Sequence, residues 1–119
     1  MKRVIVGSRI KDPVRQQLKP LVNSIYKDVI QSGIIDWPLG GNISAIKNSS
    51  YRIRFYRNKP GWFSYEEANR IKLLIEDLLE NSGNSDNAYV DLQPVYTRYI
   101  TEEYGHPCYY VDIIVCPAK

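Results

Sequence analysis

Apolar residues recur along this chain with two different periods, and the switches between them outline its elements. From Val14 to Val29 the spacing is helical. Val14, Leu18, Leu21, Val22, Ile25 and Val29 fall on one face, with Arg15, Gln16, Lys19, Asn23, Lys27 and Gln31 opposite. Asp12 before Pro13 suits the start, because an aspartate oxygen can accept from the free N–H groups of a first turn and proline fits the first helical position. Pro20 lies inside the pattern and removes a backbone hydrogen bond, so it is expected to kink or split the helix; Gly33 suits its end. A second helical pattern runs from Ser64 to Gly83. Ser64 and Glu67 form a capping box, Glu66 and Glu67 sit at the positive end of the helix dipole, and Ala68, Ile71, Leu74, Ile75 and Leu78 predict the buried stripe. Arg70, Lys72, Glu76 and Asp77 face away, and the polar run Asn81 to Asn87 closes the helix.

Period-two patterns flank that helix. Before it, Tyr51, Ile53 and Phe55 alternate with Arg52, Arg54 and Tyr56, up to the turn-forming Asn58-Lys59-Pro60-Gly61. After it, Ala88, Val90 and Leu92 alternate with Tyr89, Asp91 and Gln93, until Pro94 marks a bulge, a bend or an edge. Val95 to Thr101 and Cys108 to Cys116 predict a hairpin around Glu102-Glu103-Tyr104-Gly105-His106-Pro107. In its last strand Tyr109, Val111, Ile113 and Val115 share one face, and Tyr110, Asp112 and Ile114 the other. Lys2 to Val6 predicts a short strand ending at Gly7-Ser8-Arg9. A glycine-serine turn before a helix can cradle a phosphate, but the full GxGxxG and GxxxxGK[ST] patterns are absent and a simple turn is preferred. Ile34 to Ser50 is the least regular stretch. Trp37-Pro38-Leu39-Gly40-Gly41-Asn42 is both turn-rich and apolar, and a packed plug is preferred to an exposed docking loop because tryptophan is costly to leave in water. Ile43 to Ile46 is expected to add a short strand.

These elements predict an α+β fold over residues 1–119: a single domain with a mostly antiparallel sheet of four to five strands and two helices packed on one face. At 119 residues the chain suits one modest core. No apolar run approaches the ~20 residues that span a bilayer, and the run after Lys2 and Arg3 is too short for a signal peptide. The expectation is therefore a cytoplasmic protein with no membrane partner. The net charge of +3 is mildly basic and permits nucleic acid without demanding it. Ten tyrosines change the picture more, since tyrosine favours half-exposed strands and interfaces.

Candidate chemistry is sparse. Cys108 and Cys116 lie in one predicted strand, more than ~20 Å apart and too far for a disulfide. One histidine and no CxxC pair argue against a structural zinc site, and no cofactor is expected. His106 beside Cys108 makes a dyad conceivable, though a turn histidine is usually just exposed. Glu102, Glu103 and Asp112 would come close in the hairpin, but no lysine follows them at a nuclease-like spacing. The best binding candidates are Arg52, Arg54, Tyr56 and Arg57 on the alternating strand, where charge meets a stacking ring, with Trp37 in the loop. The competing reading of that strip is the solvated face of an antiparallel strand.

The order helix, loop, strand, then Ser64-Tyr65-Glu66-Glu67-Ala68-Asn69-Arg70-Ile71 and Ile75-Glu76-Asp77-Leu78-Leu79, followed by Pro94-Val95-Tyr96-Thr97-Arg98-Tyr99-Ile100 and a strand from Tyr109 to Val115, is similar to the small tail-terminator and minor capsid (tail completion) proteins of tailed phages. The resemblance covers roughly the last two thirds of the chain. It does not extend to Lys2–Val6 or to the loop from Trp37 to Ser50, and no functional residue carries over. It implies a ring-forming, non-enzymatic role in the virion or the host cytoplasm. The leading expectation is thus a binding or assembly protein that forms a homo-oligomer. The alternatives are a nucleic-acid or phosphorylated small-ligand binding protein using strand 51–57, and a cryptic hydrolase or nuclease around His106.

Overall fold

The computed structural model describes residues 12–35, 40–56, 63–95 and 108–117, leaving aside the side chains of residues 40, 41 and 56. Helix α1 spans Pro13–Gln17 and α2 Lys19–Ser32. Strands β1 (Gly40–Ile46) and β2 (Ser50–Tyr56) precede helix α3 (Tyr65–Asn81), which leads to β3 (Ala88–Val95) and β4 (Cys108–Val115). The four strands form one antiparallel sheet in the order β1-β2-β4-β3. The α+β architecture expected from the pattern is the one observed. The expected strand at Lys2–Val6, Trp37, the turn at Asn58–Gly61 and residues 96–101 of the expected hairpin strand lie outside the described residues, whereas Gly40-Gly41-Asn42, expected in a turn-rich loop, begin strand β1 because they pair with residues 54–56 of β2.

Local chemistry sets the helix limits. The Asp12 carboxylate accepts the Arg15 backbone N–H at 3.1 Å and caps α1. The helical path breaks at Leu18, two residues before Pro20, so the proline splits the helix in two. Gly33 ends α2 with φ 77°, a left-handed conformation that glycine adopts without a Cβ penalty. Ser64 Oγ accepts the Glu67 N–H at 3.2 Å at the start of α3. At its end Asn84 N–H reaches Leu79 O and Gly83 N–H reaches Glu80 O, the paired bonds of a Schellman turn.

One apolar layer joins helices to sheet. Val22, Ile25 and Val29 of α2 and Ala68, Ile71, Ile75 and Leu79 of α3 pack with Ile53, Phe55, Val111, Ile113 and Val115. Tyr26 stacks on Phe55 at 5.8 Å. The described helices thus cover one face, the inner face, of the sheet. Three positions depart from the expected stripes. Leu79 is buried and Leu74 is 40% exposed, although Leu74 was expected inside. At ~100° per residue, Leu74 lies about 120° around the helix from Ala68, whereas Leu79 returns to within about 20° of it. Val14 is also exposed, because α1 turns away from the face that α2 continues.

The last strand pairs with β3 along its whole length, from Ala88↔Val115 to Val95↔Cys108, so the ladder runs through Pro94 rather than beginning after it. Tyr109 explains how. It exchanges both its backbone hydrogen bonds with Phe63, at 2.8 and 3.3 Å. Its backbone groups therefore point away from Pro94, and the missing proline N–H falls on the side of β3 away from β4, where no other described strand pairs.

The turn between β1 and β2 is tied to α1. Asn48 and Ser49 adopt φ 62° and 59°, and the Ser49 hydroxyl donates to Asp12 Oδ2 at 2.7 Å. Arg15 Nη2 donates to Ile46 O at 2.9 Å. The Ser49 bond, and then the Arg15 N–H, hold the Asp12 carboxyl below its ordinary value of 3.8. A carboxyl lowered in the folded state adds stability above its unfolded pKa and loses that stability as pH falls through the folded value.

Two outcomes follow from this packing. Leu79→Ala should cost about 2–5 kcal/mol in urea unfolding and Leu74→Ala about 1 kcal/mol or less; the reverse order would mean that the α3 register is different. In a thermal series taken below about pH 5, Asp12→Asn should flatten the acid-side fall in Tm, and an unchanged slope would remove Asp12 from the acid transition.

Candidate interaction face

Each residue of the outer sheet face is placed by strand alternation. Since Tyr51, Ile53 and Phe55 turn inward, Arg52 and Arg54 point outward. The register then sets two cross-strand rows. Asn42, Arg54, Asp112 and Asp91 lie side by side across β1, β2, β4 and β3, and Ser44, Arg52, Ile114 and Tyr89 form the next row.

The first row holds an ion pair between the half-buried Arg54 and the buried Asp112. Arg54 Nε donates to Asp112 Oδ1 and Nη2 to Oδ2, both at 2.9 Å, in a two-pronged contact. The guanidinium also lies 4.0 Å over the Tyr110 ring. Asp112 is 1% exposed. The Asp112 hydrogen bond raises the Arg54 pKa further above its already high value. Asp112 stands directly opposite Asp91, an unfavourable neighbour of like charge. Arg54 compensates on one side, and Gln93 Nε2 donates to Asp91 on the other.

The second row is less polar than its sequence suggests. Ile114 is buried on a face that the described helices do not cover. It sits between Arg52 and Tyr89, whose long side chains shield the shorter central residue. Arg52 Nη2 reaches Ser44 Oγ at 3.5 Å, and its buried Nε has no partner among the described residues. Tyr89 is 54% exposed at the edge of the row.

The strip expected from Arg52, Arg54, Tyr56 and Arg57 therefore divides. Arg52 and Arg54 share the outer face, but Arg54 is committed to Asp112, and Asp91 and Asp112 balance the two arginines on this face. Tyr56 ends β2 opposite Gly40, with its side chain outside the described residues; Arg57 and Trp37 also lie outside them. So do His106, Glu102 and Glu103. Burial raises the Cys108 thiol pKa and reduces its thiolate character. Among the described residues, no three His, Cys, Asp or Glu side chains stand close enough to hold a metal ion, and no helix is long and apolar enough to cross a membrane. Sequence reasoning placed Tyr110 and Asp112 on one strand face and gave Asp112 a part only in a conceivable carboxylate cluster with Glu102 and Glu103, whereas the structure commits it to Arg54. Their signal was an aspartate and a tyrosine on the face of a strand that also had to pair with an arginine-bearing neighbour.

Truncating Arg54 strands the Asp112 carboxylate in a buried position. Arg54→Ala should lower stability by on the order of 3 kcal/mol, while Arg54→Met combined with Asp112→Leu restores most of it. A double variant as unstable as Arg54→Ala would rule out the pair as the cause.

No protein-family model, no curated protein and no solved structure matches the chain.

Proposed function

We propose that this is a non-enzymatic binding and assembly protein that works through protein–protein contact on the outer face of its sheet. The observation that carries this reading is the charge-balanced outer face, where Arg54 is held by Asp112 over Tyr110 and Tyr89 stands exposed beside them. Arginine and tyrosine are enriched at protein interfaces, where a rigid ring and a fixed planar cation give contact area at small entropic cost. A phosphate-binding face needs uncommitted cations, and the Arg54–Asp112 pair removes one. In its most specific form the role is that of a ring-forming, tail-terminator-like protein of a phage, working in the virion or the host cytoplasm as a homo-oligomer.

Arg52 favours a second reading. Its guanidinium has only a long contact to Ser44 and a buried Nε without a partner among the described residues, so an anionic ligand such as a nucleic acid or a phosphorylated small molecule would find one cation there.

Light scattering across a concentration series separates the two. The assembly reading expects a defined oligomer whose higher-order mass is lost in Tyr89→Asp. Persistence of that mass would exclude the outer face as the contact. Binding to a short DNA or RNA that weakens steeply with salt and is lost in Arg52→Ala would instead establish the second reading.

A further inference from the structure

The two edges of the sheet are built differently. The β3 edge carries Pro94, whose nitrogen faces outward without a hydrogen, and has the charged Asp91 in its strand. Both features oppose pairing with another strand. The β1 edge, Gly40–Ile46, is Gly-Gly-Asn-Ile-Ser-Ala-Ile. It has seven residues, no charge, no proline and an unbroken register against β2. None of the usual devices that blunt an edge is present in it.

The backbone pattern says which groups β1 offers. Tyr109 directs its N–H and C=O toward Phe63, and Cys116 N–H reaches Asn87 O on the opposite side at 2.7 Å. Alternation along β4 then makes Val111, Ile113 and Val115 bond to β2, through Phe55, Ile53 and Tyr51. Arg52 and Arg54 turn their backbone groups to β1, where they meet Ser44 and Asn42. Gly41, Ile43 and Ala45 are left with N–H and C=O directed away from β2, to a side where no other described strand lies. Ile43 stands opposite the fully buried Ile53, so its side chain is on the inner face, yet it is 40% exposed.

We propose that β1 pairs antiparallel with β1 of a second copy of this chain, about a two-fold axis through Ile43, to give a continuous eight-stranded sheet. This rests on the reading of the protein as self-assembling and names its first contact. The strand is its own complement. Centred on Ile43, the outward-directed groups of Gly41, Ile43 and Ala45 meet those of Ala45, Ile43 and Gly41 in the second copy, and all are hydrogen-bonded pairs. On the inner face isoleucine packs on isoleucine, with glycine against alanine beside it. On the outer face Asn42 lies opposite serine. No charge meets a like charge anywhere along the strand, which is the electrostatic condition for a strand to pair with itself. The outer faces of the two copies then form one surface of twice the width.

Sedimentation equilibrium of the full chain tests this together with Tyr89→Asp and Ile43→Lys, the latter placing a charge opposite itself at the axis. Wild type should contain a dimeric unit. Ile43→Lys should weaken it at least tenfold with an unchanged circular dichroism spectrum, whereas Tyr89→Asp should retain the dimer while losing larger species. A dimer that survives Ile43→Lys, or a wild-type chain that stays monomeric at NMR concentrations, would overturn the proposal. Failure of Tyr89→Asp to act would count against the outer-face reading alone. Where Ile43→Lys impairs folding, Ile43→Cys replaces it. Oxidation should then link residue 43 to residue 43 across the axis, as mass spectrometry of the digest would show, and its absence overturns the pairing. The Gly41, Ile43 and Ala45 amides should exchange more slowly as concentration rises; protection already complete in the monomer would mean that the edge is covered from within the chain.

Discussion

A carboxylate almost wholly removed from water in the second strand from an edge must be neutralised where it stands. Asp112 meets that condition through Arg54, and the rest of the outer face is arranged around the pair. The two-pronged contact requires Arg54 opposite Asp112, so the β2–β4 register cannot slip by a residue without burying a lone charge. The same register sets Ile53 and Phe55 against Ile113 and Val111 on the inner face. Polar and apolar layers therefore select one alignment for different reasons, hydrogen-bond geometry on one side and area removed from water on the other.

The helices are anchored to that sheet at both ends of the described core. α2 lies over β2 through Tyr26 and Phe55, and Asp12 and Arg15 tie the start of α1 to the β1–β2 turn and the end of β1. α3 lies over β3 and β4, entered through the Phe63–Tyr109 bridge. That bridge continues the line of β2 alongside β4 after β2 itself has ended. It also turns the Tyr109 backbone groups away from Pro94, so a residue unable to donate is accommodated at the edge. Covering β2, β4 and β3 leaves β1 at the margin, and the exposure of Ile43 is a direct result.

Most of the outline was legible from the chain. The Asp12-Pro13 start, the break at Pro20, the Gly33 stop and the Ser64 cap depend on one to four neighbouring residues, and local chemistry is enough to decide them. The stripe of α3 was less secure. Leu73, Leu74, Leu78 and Leu79 are equally apolar, and the choice of Leu79 over Leu74 needs the helical period carried from Ala68 along the whole helix rather than any local signal. Pro94 carried its message as well, since a proline in an alternating run belongs at an edge. That the pairing runs through it depended on Phe63, a residue with no distinguishing local pattern.

By itself, the sequence determined the helices, most of the strands and which side chains share a face, because these follow from periods of two and 3.6 residues and from caps a few residues long; it did not show that Gly40-Gly41-Asn42 extend β1, since glycines carry no period. Only the tertiary structure decided what those faces do. Arg52 and Arg54 look alike in the chain, yet one is bonded to an aspartate 58 residues away and the other is not. The alternation puts Asp112 and Ile114 on one face of the last strand without saying whether that face is wet, and both are buried because the strand order puts β4 between neighbours with long side chains. Charge becomes available or committed according to what lies across the strand, and strand order is a property of the whole chain.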